Sequence, residues 1–166
     1  MIELVEGNLL QADVQALVNT VNTEGVMGKG IALQFKRAFP AMFKEYELEA
    51  QAGRLEIGRV QVHEVGNLVG PRWIINFPTK KSWRQPSRLE WVRTGLDSLV
   101  EEVQRRGIQS IAVPPLGCGN GGLDWADVLP LIRDALAVYL LFECSFIRHV
   151  ARPILNQCPS GQRDLP

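Results

Sequence analysis

The sequence predicts an α/β fold, a three-layer α/β/α arrangement around a mixed, mostly parallel sheet. Three observations carry that expectation. Apolar, β-branched runs of strand length alternate with longer stretches whose apolar residues recur at helical spacing. Loops rich in glycine, asparagine or lysine follow three of the candidate strands. No internal repeat or low-complexity linker interrupts the 166 residues, so they read as one domain, long enough to bury a core.

The elements follow in order. Ile2 to Val5 is a short candidate strand, and Val14 to Val21 is a buried one. Gly28-Lys29-Gly30 opens a helical pattern with Ile31, Leu33, Phe35, Ala38 and Phe39. Pro40 interrupts it and starts a second helix, since proline suits a first turn. Met42, Phe43, Tyr46 and Leu48 line that helix, which stops near Gly53. Arg59–Val65 and Trp73–Phe77 are further strands. Ser87-Arg88-Leu89-Glu90 has the spacing of a capping box, with serine at the N-cap and glutamate three residues on. Leu89, Val92, Leu96, Leu99, Val100 and Val103 follow at helical spacing, and Gly107 ends the helix. Ile108–Val113 is the next strand, and Asp124 caps a helix with Val128, Leu131, Ile132 and Leu136 inward. Ala137–Phe142 is expected as a last strand. The domain is expected to span 1–142, with 143–166 a tail or the start of a linker, because periodicity fades there and Pro, Gly and Arg increase.

Composition narrows the function. The chain is 46% hydrophobic and 22% charged, with 18 basic and 18 acidic residues, as in a soluble globular protein. A net charge of zero argues against tight, non-specific binding to duplex nucleic acid but leaves room for a local basic patch. Met-Ile-Glu-Leu is not a signal-peptide start, and no apolar run approaches a membrane span. A cytoplasmic protein without membrane contact is expected. Cys118, Cys144 and Cys158 are odd in number and widely spaced, which fits reduced thiols. With no CxxC pair and only His63 and His149, no metal site is expected.

The most informative stretch is Pro114-Pro115-Leu116-Gly117-Cys118-Gly119-Asn120-Gly121-Gly122-Leu123, between a strand and a helix. Strand, glycine loop and helix together turn backbone N–H groups toward an anion. The spacing matches neither common nucleotide motif, and a long turn is the alternative. Gly28-Lys29-Gly30 stands at a second helix start, where free N–H groups and the helix dipole favour phosphate. Asn19 and Asn22 end the second strand. Their carboxamides can hold sugar hydroxyls, or simply make the turn.

Thr79-Lys80-Lys81 follows a strand, and a lysine at a pocket mouth can contact phosphate, move a proton or act as nucleophile. Lys81 is expected to lower the Lys80 pKa by like-charge repulsion; a plain surface pair is the alternative. Trp83, Arg84 and Arg88 combine aromatic and cationic groups that can stack on a single strand. Trp83 packed against the following helix is the competing expectation. Cys118 lies at a helix start, where thiol pKa values fall, but no histidine is near it in sequence. It reads as a small loop residue.

Gly7-Asn8-Leu9-Leu10, Ala16-Leu17-Val18-Asn19-Thr20-Val21-Asn22, Gly28-Lys29-Gly30-Ile31-Ala32 and Pro115 to Leu123 together resemble the macrodomain family. The resemblance spans roughly residues 1–142 and implies a module that binds ADP-ribose. Met27 to Ala32, Phe35-Lys36, Thr79-Lys80-Lys81 and Gly117-Cys118-Gly119 resemble the branch with terminal ADP-ribose glycohydrolases, DarG-type antitoxins above all. That branch implies removal of ADP-ribose from thymidine bases of single-stranded DNA, against a DarT-type toxin that attaches it from NAD. It also implies ADP-ribose contacts at Asn8, Leu9, Asn19, Asn22, Gly28, Lys29, Gly30, Ile31, Pro115, Leu116, Gly117, Cys118, Gly119, Asn120 and Gly121. Lys80 would be catalytic, and Lys81, Trp83 and Arg84 would meet DNA. Hydrolysis needs no cofactor.

Two positions depart from the family pattern. Asn8 stands where many macrodomains carry the aspartate that takes the adenine amino group. Gly121 stands where the human-type glycohydrolase has a catalytic aspartate, which shifts the burden to Lys80. Full-length antitoxins of this type carry a second, toxin-neutralising domain that has no counterpart in these residues. A non-catalytic ADP-ribose reader, a hydrolase of protein-linked ADP-ribose and a contact-only antitoxin remain as alternatives.

Overall fold

A computed structural model describes residues 2–66, 69–142 and 147–151. In chain order the elements are β1 (Ile2–Val5), β2 (Ala16–Asn22), α1 (Gly30–Ala38), α2 (Pro40–Gln51), β3 (Gln61–Glu64), β4 (Trp73–Lys80), α3 (Leu89–Arg106), β5 (Ile111–Ala112), α4 (Trp125–Phe142) and β6 (Ile147–Ala151). A 3-10 turn, Leu9–Gln11, precedes β2.

β3, β4, β2 and β5 form a mixed sheet in that order. β2 runs parallel to β4 and β5, and β3 runs antiparallel to β4. β1 pairs in parallel with β6, which lies beside β5. Every residue of β2 except Thr20 is buried, as is every residue of β4 except Lys80. Strands covered on both faces are expected to be apolar almost throughout rather than alternating.

Successive strand residues still point to opposite faces. Val18, Ile75 and Phe77 join Val92, Leu96 and Leu99 of α3 and Val128, Ile132 and Leu136 of α4 in one core. Leu17, Val21 and Ile74 join Phe35, Met42 and Tyr46 of α1 and α2 in the other. These are the three layers expected. α3 sits close on the sheet because position 95 is glycine: a Cβ there would stand 2.4 Å from the Phe77 ring.

Several boundaries differ from expectation. β4 runs three residues past Phe77, so Lys80 is held by a strand rather than a loop. Residues 137–142 are the last turns of α4, not a strand; an apolar run that short cannot be told from buried helix by periodicity alone. The capping box does not form. Arg88 is the N-cap of α3 and makes no side-chain cap bond. The other end signals hold: Gly107 terminates α3 at φ 61°, and Asp124 Oδ1 accepts from the Ala126 N–H at 2.9 Å. β6 falls within the stretch expected as a tail; residues 143–146 and 152–166 lie outside the described residues. Among the described residues no helix is long and apolar enough to cross a membrane.

Candidate functional site

Because β2, β4 and β5 are parallel, their carboxyl ends share one edge, where open α/β sheets take ligands. Register pairs Asn22 with Lys80 there. The Thr23 N–H donates to the Lys80 carbonyl at 3.1 Å, and Thr23 Oγ1 donates to the Lys81 carbonyl at 2.9 Å. Lys80 Nζ in turn donates to the Asn120 carbonyl of the glycine loop. Asn120 Nδ2 lies 3.1 Å from where a Cβ on Gly30 would stand. The three loops singled out in the sequence thus meet around one ammonium group.

Two of them offer backbone donors. Lys29 caps α1 without a side-chain bond, and the first-turn N–H groups of Gly30, Ile31 and Ala32 have no intrahelical partner. Gly28, Lys29 and Gly30 are exposed. In the Pro115–Leu123 loop, Gly117 and Gly122 take left-handed φ values of 73° and 76°. Turns occupy the N–H groups of Cys118, Gly122 and Leu123. Those of Gly119, Asn120 and Gly121 have no backbone partner among the described residues. Leu116 and Gly117 are buried, while Gly119 and Asn120 are exposed.

Ser87, missed as a site residue, buttresses this loop. Its N–H donates to the Gly121 carbonyl at 2.9 Å, and its buried Oγ has no partner among the described residues. A Cβ on Gly121 would stand 2.2 Å from the Gly117 carbonyl oxygen and 2.4 Å from Ser87 Oγ. No side chain fits at 121, so a catalytic carboxylate has no room there. The same buttress explains the failed capping box: Ser87 faces the loop, not the helix. Only its place between proline and helix hinted at this.

The asparagines are more committed than expected. Asn19 is fully buried in the sheet. Its Nδ2 donates to Asn76 Oδ1 at 3.0 Å, and Asn76 Nδ2 donates to Gln61 Oε1 at 2.9 Å. This amide chain crosses three strands, and Asn19 does not open on the cleft. Asn22 braces its own loop. Its Oδ1 accepts from the N–H groups of Glu24 and Val26, and its Nδ2 donates to the Val26 carbonyl at 2.7 Å. Buried Tyr46 donates to the Asn22 carbonyl at 2.6 Å. One Asn22 amide hydrogen remains for a ligand. Asn8 caps the 3-10 turn, its Oδ1 accepting from the Leu10 N–H at 3.1 Å. Leu9 belongs to the core cluster that holds Met27 and Phe35, which ties this turn to the α1 side of the cleft.

Burial holds the Lys80 ammonium below the ordinary lysine range. The direction matches expectation, but the cause does not: desolvation acts, not Lys81. The Cys118 thiol is pushed up to about 12, by burial first and the Asp124 carboxylate second, so it is no nucleophile. Trp83 is exposed, with the Arg84 guanidinium 4.7 Å above its ring, rather than packed away on α3.

Residues 18–132 match the Macro domain family. The chain belongs to the macrodomain family. It is 57% identical over 136 residues to the "DNA ADP-ribosyl glycohydrolase" of Thermus aquaticus, covering 82% of this chain and 38% of that relative. The chain thus spans under two fifths of that relative's length. The macrodomain of Thermus aquaticus DarG superimposes with a TM-score of 0.86 at 52% identity, over 92% of this chain and 99% of that one. DarTG of Thermosipho africanus, solved in complex with ADP-ribose, gives 0.81 at 32% identity, over 92% of this chain and 42% of that one.

Proposed function

We propose that this macrodomain binds ADP-ribose between its two glycine loops and hydrolyses the bond joining it to a thymidine base of single-stranded DNA, reversing a DarT-type toxin. One observation carries the proposal: a partly desolvated lysine, Lys80, stands between two backbone-donor loops, bonded to one of them. The names of the relatives agree with it. The loops at Gly28, Lys29, Gly30 and Ile31 and at Pro115 to Gly121 hold the diphosphate. Asn22 orients the distal ribose through its remaining amide hydrogen. Asn8 Oδ1 keeps a lone pair for the adenine amino group beside the Leu10 bond. The proposal also places the chain in the compartment that holds the DNA, the cytoplasm.

The chemistry needs a stabilised oxocarbenium and a departing base anion. As a general acid, Lys80 gives a proton to the thymine nitrogen as the bond to the ribose anomeric carbon breaks. Water then adds to that carbon and its proton returns to the lysine. As a nucleophile, neutral Lys80 attacks the same carbon, the base leaves with the electron pair, and water hydrolyses the adduct. Borohydride trapping of a protein–sugar adduct separates the two.

The test is to incubate the chain with an ADP-ribosylated single-stranded oligonucleotide and with an ADP-ribosylated glutamate peptide. Release of ADP-ribose from the oligonucleotide is the expected result. Tight ADP-ribose binding without release from either would make the chain a reader instead.

A further inference from the structure

The segment from the end of β4 into the first turns of α3 lies next to this cleft, and its charge is out of keeping with the chain. Residues 80–93 hold five cations, Lys80, Lys81, Arg84, Arg88 and Arg93, against one acid, Glu90, in a protein of zero net charge. Its indoles face three of those cations. The Arg84 guanidinium lies 4.7 Å from the centroid of Trp83, and that of Arg88 lies 5.0 Å from Trp91. Lys81 Nζ lies 5.9 Å from Trp91. Trp83 is 49% exposed, an unusual cost for the largest apolar side chain unless the face is used. Nor is the segment loose. Its start is tied through Lys81 to Thr23, the Trp83 N–H donates to Glu24 Oε2 at 3.2 Å, and its end is fixed by the Ser87–Gly121 bond. The platform is therefore held in place beside Lys80 before anything binds, which reduces the ordering cost of binding.

We infer that a single nucleic-acid strand lies across Trp83 and Trp91, with bases on the indoles and phosphates against Lys81, Arg84 and Arg88. The inference rests on the proposed DNA substrate and names how that substrate is held. Charge complementarity selects a polyanion. The exposed indole of Trp83 selects a single strand, because a duplex keeps its bases stacked on each other. Trp91 is the new member, and it extends the surface from the loop onto the first turn of α3.

Fluorescence anisotropy with an unmodified labelled oligothymidylate tests this without requiring turnover, so a chain that fails to hydrolyse still reports on the surface. Trp83→Ala and Trp91→Ala should each weaken oligonucleotide binding roughly tenfold. The melting temperature and the affinity for free ADP-ribose should stay close to wild type. Arg84→Ala/Arg88→Ala should reduce the slope of log K against log salt by about 1.4, at about 0.7 per phosphate contact. The inference is overturned if both tryptophan variants bind like wild type. It is equally overturned if duplex binds as tightly as single strand, or if the wild-type chain does not bind the oligonucleotide at all.

Discussion

Replacing Gly121 with alanine should cripple the glycine loop. The added Cβ would lie 2.2 Å from the Gly117 carbonyl oxygen, 2.8 Å from the Gly117 carbonyl carbon and 2.4 Å from Ser87 Oγ. Two of those three atoms are backbone, so rotating one side chain does not relieve the contact. The loop must open, which breaks the Ser87 N–H to Gly121 carbonyl bond and shifts the unpaired N–H groups of Gly119 and Asn120. Overpacking of a tight site costs about 1–3 kcal/mol. A backbone-limited contact belongs at the upper end, so ~2–3 kcal/mol is the expected loss. For a domain of this size that is a fall of about 4–12 °C in Tm. Calorimetric titration with ADP-ribose should show at least a tenfold loss of affinity. Ser87→Gly/Gly121→Ala removes the Ser87 contact but keeps the 2.2 Å clash, so the double variant should stay defective. Gly121→Asp should behave like Gly121→Ala and gain no catalysis. Wild-type affinity and Tm in Gly121→Ala would refute the buttress and the explanation of why no carboxylate stands at 121.

Other outcomes follow from the same geometry. Asn76→Ala removes the middle of the Gln61–Asn76–Asn19 chain and strands the amides of buried Asn19 and half-buried Gln61. At about 1–3 kcal/mol per unsatisfied group, thermal melts should show one of the largest losses of any single polar substitution in the sheet. In NMR titration of labelled lysine side chains, Lys80 should titrate below the ordinary value of 10.5. Lys81→Met should leave that titration in place, because burial and not repulsion sets it; a return to the ordinary value would reinstate repulsion. The sign for stability follows: the unfolded chain holds the Lys80 proton more tightly, so this group favours folding increasingly as pH rises through its lowered pKa toward 10.5. Cys118, with its thiol near 12, should resist iodoacetamide at pH 8 in the native protein and react on unfolding.

The three-layer arrangement was legible because apolar periodicity follows directly from burial. β2 and β4 announced themselves as mostly apolar runs broken by single polar residues such as Asn19 and Asn76, and α3 by its spacing from Leu89 to Val103. Residues 137–142 misled because an apolar run that short satisfies strand and helix alike. Ser87 misled because a capping box is a local pattern, while the partner that claimed this serine, Gly121, lies 34 residues away. The candidate site was legible as three loops, since glycine and asparagine mark the demands of backbone geometry. Which carboxamide turns outward was not: Asn19 and Asn22 have the same chemistry, and only the neighbouring Asn76, Val26 and Tyr46 decide their hydrogen bonds. The direction of the Lys80 shift was legible, but its cause, burial, is set by tertiary packing that the neighbouring Lys81 does not reveal.

The most direct test of the account is Lys80→Ala, assayed on an ADP-ribosylated single-stranded oligonucleotide alongside titration with free ADP-ribose. The account predicts ADP-ribose affinity within a few-fold of wild type and loss of release from DNA by at least a hundredfold, roughly the smallest contribution of a positioned acid or base. Full release by that variant would contradict it.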